Sequence, residues 1–236
     1  ITIDNITKKF GKHKVLDSIS LKIPPQGISG ILGLSGCGKT TLLNILVGYW
    51  KTDSGNVYYN SIDIKKNQRI MHQLFGFATQ AGSVYDKLTV EENLTYFGRL
   101  YNMHSNDLKT RIPEILKLVE LEDAKNLPAS ELSTGMFRRL DIACSMIHKP
   151  KVLILDEPTS NMDPVLRKKI MALIKKIDDE GTKIIITSHL MDEVEKICHD
   201  LSIIHHGKII ATGTPDKLKD MYTKNREVIL KTEKKQ

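Results

Sequence analysis

Long apolar runs are missing from this chain. The longest candidates, Val152-Leu153-Ile154-Leu155 and Ile184-Ile185-Ile186, have the length of buried strands. A helix that spans a bilayer needs roughly 20 apolar residues. No signal-peptide pattern, low-complexity linker or internal repeat is visible. Cysteine is scarce. Cys37, Cys144 and Cys198 are the three among 236 residues, and their spacing forms neither a disulfide framework nor a metal-ligand pattern. A reducing, cytosolic setting is the simple expectation. A concentrated basic tract is absent too. The net charge is +7, but the lysines are dispersed and only Lys231 to Lys235 ends in a small cluster. A solvated basic surface beside an anionic ligand explains that charge better than a nucleic-acid face, so no nucleic acid is expected as a partner. The first residue, Ile1, already falls in a strand pattern, so the expectation is a trimmed chain or a domain cut from a longer polypeptide.

What is present begins with Gly33-Leu34-Ser35-Gly36-Cys37-Gly38-Lys39-Thr40, which fits G-x-x-x-x-G-K-[ST]. This is the phosphate-binding loop of nucleotide triphosphatases. Its glycines let the backbone turn tightly and aim N–H groups at phosphate oxygens. Lys39 brings a point charge to the β- and γ-phosphates. The Thr40 hydroxyl is a ligand type for Mg²⁺, and Thr41 continues the phosphate-side turn. An apolar strand, Ile28 to Leu32, leads in, and a helix from about Lys39 to Val47 leads out. The phosphates then sit at a helix N-terminus, where the dipole favours anions.

Short strands with turns are expected up to about Gln80: Ile1 to Ile3, Val15 to Ile23, Ile28 to Leu32, Gly55 to Tyr59 and Phe75 to Phe77. From about Tyr85 to Lys149 the pattern is helical, with apolar stripes through Val90, Leu94, Phe97 and Tyr101, through Ile112, Ile115, Leu116 and Val119, and through Met136, Leu140, Ala143 and Ile147. Pro113 predicts a helix start or a bend within the second stripe. From Lys151 strand and helix alternate again, with Asp163-Pro164 as an N-cap followed by proline at the first helical position. Such alternation around a phosphate loop implies a mainly parallel sheet with helices on both faces, and the helical middle becomes an insertion. His205 and His206, on a strand and its turn, are expected to face opposite sides. Arg138 and Arg139 read as solvated side chains, and Cys144 and Cys198 as helix-packing residues.

A second motif is the apolar strand Val152 to Leu155 followed by Asp156-Glu157. Asp156 can hold Mg²⁺ directly or through water. Glu157 can take a proton from the attacking water or orient it. Consecutive strand residues point in different directions, so the two carboxylates can serve different partners.

With these motifs in order, the chain resembles the ATP-binding-cassette (ABC) ATPase family over nearly its whole length. Leu132-Ser133-Thr134-Gly135-Met136 stands where that family carries its signature, upstream of Asp156-Glu157. Gln80 follows the Phe75–Ala78 strand as the family's glutamine loop does. Ser160-Asn161-Met162-Asp163 matches its dimer-contact loop, His189 its switch histidine, and Phe10 the aromatic under adenine.

The resemblance implies an α/β fold. It has a P-loop core of mainly parallel sheet, an antiparallel β subdomain at the N-terminal end and an inserted α-helical subdomain. It implies one cassette over 1–236: a core lobe of 1–84 and 150–222, a helical signature lobe of 85–149, and a basic tail of 223–236. The cofactors are ATP and Mg²⁺. Phe10 stacks on adenine, with a strand-core phenylalanine as the rival reading. Gly33, Leu34, Ser35, Gly36, Cys37, Gly38, Lys39, Thr40 and Thr41 hold the phosphates. Thr40, Gln80 and Asp156 address the metal, and Glu157, His189, Gln80 and Lys39 act in catalysis. Gln80, His189 and Ser133 have rival readings as a loop glutamine, a surface histidine and an ordinary helix cap. Ser133 and Gly135 bind the γ-phosphate of ATP held by a second cassette, which requires a head-to-tail dimer around two nucleotides. The other implied partner is a membrane permease, met near Gln80 to Asp86, so the chain is placed on the cytoplasmic face of a membrane. Alkylation of Cys37 is expected to block ATP sterically. Thr134 and Met136 replace the commonest glycine and glutamine, a pattern similar to exporters with separate ATPase subunits, as is Gly213-Thr214-Pro215. The alternative is a soluble ABC ATPase acting on ribosomes or DNA. Such proteins carry two cassettes in one chain or a long coiled-coil interruption; neither appears within these 236 residues, and a trimmed chain would hide the first.

Overall fold

The computed structural model describes residues 1–67 and 73–223. The basic tail cluster Lys231 to Lys235 lies outside the described residues. Two sheets organise the chain. The first is antiparallel, with β1 (Thr2–Phe10), β2 (His13–Lys22), β4 (Ser54–Tyr59) and β5 (Ile62–Asp63) in the order β2-β1-β4-β5. The second contains β3 (Ile28–Leu32), β6 (Phe75–Ala78), β7 (Val152–Leu155), β8 (Lys183–Ser188), β9 (Asp200–His205) and β10 (Lys208–Gly213) in the order β10-β9-β3-β8-β7-β6. Every pairing in it is parallel except the β9–β10 hairpin.

The strands β7 and β8 read as continuous apolar runs because both faces of the sheet are covered. Leu153 and Leu155 face one core with Ile184 and Ile186, while Val152 and Ile154 face the other with Ile185. The first core receives the helices α2 (Val90–Leu100), α3 (Ser105–Val119), α4 (Thr134–Met146) and α5 (Pro164–Asp179). The second receives α1 (Lys39–Leu46) and the antiparallel sheet, through Leu42, Leu43, Ile6, Leu16 and Ile19. Each of these side chains is fully buried, which stabilises the fold by roughly 1.5–3 kcal/mol apiece. The short α6 (Met191–Val194) precedes β9, and α7 (Pro215–Thr223) follows β10.

Helix starts follow their sequence signals. Thr89 and Glu92 form a capping box on α2, with Glu92 N–H donating to Thr89 Oγ1 at 3.2 Å and Thr89 N–H donating to Glu92 Oε2 at 2.8 Å. Asp163 accepts from the N–H groups of Val165 and Leu166 at 2.8 and 3.0 Å, with Pro164 in the first turn of α5.

Several expectations need correction. Of the two expectations for Pro113, the helix start is wrong, because α3 runs from Ser105 through Val119 with Pro113 inside it. Proline removes the N–H that would bond to the carbonyl four residues back, and here that residue, Lys109, is exposed, so water can take the partner's place. β1 extends to Phe10, well beyond Ile3, because register shifts against β2 let an irregular polar stretch stay paired. Cys198 lies outside any helix, buried in the segment between α6 and β9, where burial pushes its thiol up to about 12. His205 and His206 do not part. Their rings meet edge-on at 4.1 Å because His206 takes a left-handed backbone, φ 44°, which breaks strand alternation.

His148, just after α4, stacks on Tyr101 at 3.5 Å and uses Nε2 with the Phe75 carbonyl at 3.2 Å, while its Nδ1 is buried without a partner. Burial lowers its pKa from the usual 6.5 to about 4, against a smaller upward pull from that carbonyl. The unfolded chain therefore takes up this proton first. Stability from neutral His148 is full above about pH 6.5 and is lost as the pH falls toward 4. Urea unfolding of His148→Phe between pH 7 and pH 4 should show a shallower loss than the wild-type chain. An identical slope in the two proteins would remove His148 from the acid response.

Candidate active site

The parallel register brings the functional loops to one edge. Leu32 pairs with Ser188, Leu155 with Ile186, and Ala78 with Leu155, so β3, β6, β7 and β8 end side by side. The segments that follow carry Gly33 to Lys39, Gln80, Asp156-Glu157 and His189. Ligand sites in open α/β sheets form at such strand ends.

The glycine loop is packed from below. A Cβ on Gly33 would lie 2.5 Å from the Ile204 carbonyl, and Gly38 takes φ 108°, which favours glycine. Leu34, Ser35 and Gly36 are exposed, whereas Cys37 is buried beneath the loop. Its thiol is therefore shielded by the loop that would carry the phosphates. Cys37 also accepts the Gly207 N–H at 3.1 Å, so the β9–β10 turn supports the loop. At the start of α1, Gly38 supplies no side-chain cap. The first amide groups of this helix are left for an anion.

A cleft of about 190 Å³ is lined by Val15, Ser35, Gly36, Gly38, Lys39, Thr40, Thr41, Gln80 and Glu157. Lys39 is 4% exposed. Its ammonium donates to the carbonyls of Gly33 at 2.7 Å and Leu34 at 3.2 Å, and pairs with Glu157 Oε1 at 3.0 Å. The other Glu157 oxygen lies 3.1 Å from His189 Nδ1. One carboxylate thus touches both a lysine and a histidine. Glu157 itself has φ 43°, an uncommon backbone state for a non-glycine residue and one that clusters at functional sites.

Asp156 is buried at the end of β7. Its Oδ1 accepts from the Thr187 hydroxyl at 2.6 Å, and the same hydroxyl oxygen accepts the Glu157 N–H at 2.9 Å. Thr187 is a residue of this constellation that sequence reasoning missed. Its only signal was its position two residues before His189, at the end of an apolar strand. Val15, on the cleft wall, was missed for a similar reason, since nothing distinguishes it from a core valine. Thr40 and Gln80 line the cleft, and Thr40 Oγ1, the Asp156 carboxylate and the Gln80 side-chain carbonyl are hard oxygen donors, the type that suits Mg²⁺. Among the described residues no group of three or more His, Cys, Asp and Glu could hold a metal alone, so such an ion would also need phosphate oxygens and water.

Three predicted residues lie apart from this cleft. Phe10, at the end of β1, is 44% exposed, so it is no core residue. Its ring meets Trp50 edge-on at 4.9 Å, and Lys8 Nζ is 5.2 Å from its centroid. Ser133 caps α4, accepting the Met136 N–H at 3.4 Å, and is exposed. Gly135 is buried, and a Cβ there would lie 2.9 Å from Leu166 Cδ2. The helix it opens begins at Thr134. The Ser160 to Asp163 loop is braced by Arg167, which donates to the Met162 carbonyl at 2.7 Å and pairs with Glu193 at 3.0 Å.

This constellation is that of a P-loop nucleotide triphosphatase: a capless helix N-terminus behind a glycine loop, a buried lysine, and a strand-end carboxylate paired with histidine. Comparison with known proteins narrows the class. The ABC transporter family profile matches residues 16–160. The Nod factor export ATP-binding protein I of Paraburkholderia xenovorans is 35% identical over 92% of this chain and 72% of its own length. The linearmycin resistance ATP-binding protein LnrL of Bacillus subtilis is also 35% identical, over 91% of this chain and 69% of its own. The solved structure of cbiO1 from Clostridium perfringens, part of the ABC transporter complex cbiONQ, superposes with a TM-score of 0.85 at 26% identity, covering 95% of this chain and 94% of that one. The chain belongs to the ABC transporter family and is one of its ATP-binding, ATP-hydrolysing cassettes.

Thr187→Val keeps the shape and removes the hydroxyl that serves both Asp156 and Glu157. It should cost about 1–3 kcal/mol of stability, the usual penalty for stranding buried polar groups, and Thr187→Ser should recover much of it. Chemical denaturation of the three proteins measures this. Equal stability in all three would show that the hydroxyl carries no weight.

Proposed function

We propose that this cassette drives export through a membrane permease, by hydrolysing ATP at the cleft that joins Lys39, Glu157 and His189. The observation that carries the proposal is the shared Glu157 carboxylate, 3.0 Å from Lys39 and 3.1 Å from His189. A triphosphate entering the loop offers Lys39 oxygens with more charge than one carboxylate. Lys39 then moves to phosphate and frees Glu157 Oε1. Glu157, held by His189 and by the Thr187 contact to its backbone, accepts a proton from water aligned behind the γ-phosphorus. The α1 amides and Lys39 hold charge on the phosphates as the bond to the leaving oxygen lengthens. Mg²⁺, held by Thr40, Asp156 and Gln80, would neutralise charge on the β- and γ-oxygens. Adenine stacks on the exposed face of Phe10, a contact type worth about 1–3 kcal/mol.

The second half of the site comes from another copy or a related cassette. Ser133 and the N-terminus of α4 are exposed and far in sequence from Lys39, and they reach the γ-phosphate held by a partner in a head-to-tail dimer. Residues 1–84 with 150–222 form the nucleotide lobe, and 85–149 the helical lobe that closure moves. Among the described residues no helix is long and apolar enough to cross a membrane. The transporter family of its relatives supports a permease partner, with the cassette held at its cytoplasmic face. A cleft of about 420 Å³ lined by Asn44, Val47, Tyr49, Phe75, Phe77, Thr79 and Tyr101 supports docking of a permease helix between the lobes, next to Gln80. Export is supported by the names of the relatives, which are export and resistance ATP-binding proteins.

Glu157→Gln should keep nucleotide binding and slow turnover on the order of 10²–10⁴-fold. Lys39→Ala should instead weaken nucleotide binding, by roughly tenfold or more, as loss of a charge-assisted contact does. ATP hydrolysis and equilibrium binding of a fluorescent ATP analogue separate the two. Wild-type turnover in the Glu157→Gln protein would sink the hydrolytic reading. For the partner, Tyr49→Ala and Asp86→Lys should reduce co-purification of a multi-span protein in mild detergent. Recovery of ribosomes or DNA with the native protein, and no multi-span protein, would refute export.

A further inference from the structure

A buried ion pair on α4 joins the two halves of this site. Arg138 and Asp141 are 6% and 2% exposed, and their charged groups lie 2.8 Å apart. The expectation that Arg138 is solvated is therefore wrong. Its guanidinium donates to the Thr79 carbonyl at 2.7 Å, the Pro158 carbonyl at 3.0 Å and the Asp156 carbonyl at 3.2 Å. Asp141 Oδ1 accepts the Ser83 N–H at 2.9 Å.

The addresses of these bonds are informative. Thr79 and Ser83 bracket Gln80. Asp156 and Pro158 bracket Glu157. The helix that carries both charges is the one Ser133 caps. Burial lowers the guanidinium pKa and raises that of the carboxyl, and each group's charge opposes the shift in the other. An ion pair this deep gives little net stability over an apolar pair of similar volume. Stability alone does not account for a pair whose bonds fall on backbone to either side of both Gln80 and Glu157, Arg138 reaching Thr79, Asp156 and Pro158 and Asp141 reaching Ser83.

We propose that Arg138 and Asp141 are positioning residues that fix the signature helix to the glutamine loop and to the backbone around Glu157. A shift at Gln80 or Glu157 is then transmitted to Ser133, and engagement of Ser133 with the partner's nucleotide is transmitted back. This rests on the hydrolytic reading above. The phosphate loop is not touched by either residue, so nucleotide affinity and turnover should respond differently.

The test uses the full chain and four proteins: wild type, Arg138→Met/Asp141→Leu, Arg138→Lys and Glu157→Gln. The double variant removes both charges together and leaves none buried alone. It is expected to remain folded, with at most a modest fall in melting temperature, and to bind a fluorescent ATP analogue within about threefold of wild type, while kcat falls about tenfold or more. Arg138→Lys keeps the charge but loses the planar fork, and should lower kcat at nearly unchanged KM. If the double variant does not fold, Arg138→Lys decides. Wild-type kcat in the double variant, or in Arg138→Lys, overturns the proposal. So does a loss of turnover matched by loss of nucleotide affinity. Glu157→Gln separates the two levels: if it too hydrolyses ATP at the wild-type rate, the hydrolytic reading fails; if it alone is inactive, only the role of the pair fails.

Discussion

The Lys39–Glu157 ion pair is the interaction around which this site is arranged. Both side chains are largely buried, at 4% and 11% exposure, so separating them without a replacement leaves an uncompensated charge. Such a step costs about 3–5 kcal/mol. A phosphate group supplies the replacement charge. In the mechanism proposed above, binding and activation are thereby linked, because the phosphate that satisfies Lys39 also releases one oxygen of Glu157, the proposed base. His189 on the other oxygen and Thr187 behind the backbone keep Glu157 in place when the lysine leaves.

The fold exists to hold those groups in register. Four parallel strands end together, and the two apolar cores on either side of them leave no freedom for one strand to slide. A slip of one residue would turn Ile154 and Ile185 toward the wrong core and move Asp156 and Glu157 from the cleft. The helices do different work. α1 offers bare amides to an anion, whereas α4 and α5 begin with side-chain caps and use their buried faces for packing.

Much of this was legible in the sequence because the chemistry demands particular residue types at fixed spacing. Gly33 to Thr40 could hardly serve another purpose, and Asp156-Glu157 after four apolar residues announces a strand end. Partner contacts were harder to read. Arg138 looked like a surface arginine because its three carbonyl acceptors, on Thr79, Asp156 and Pro158, come from segments distant in sequence. Thr187 sat in a strand pattern that a threonine fits for its shape alone. Pro113 does not start its helix, because its cost depends on whether the stranded carbonyl meets water, which is a tertiary fact. The contact between His205 and His206 depends on a single left-handed residue that no periodicity reveals.

The most direct measurement is a high-resolution structure of the full chain with Mg²⁺ and a non-hydrolysable ATP analogue. The expected result has Lys39 Nζ on the terminal phosphate, beyond ion-pair distance from Glu157, with the Glu157–His189 contact retained. Lys39 still paired with Glu157 while the nucleotide is bound would contradict the link between phosphate binding and release of the base.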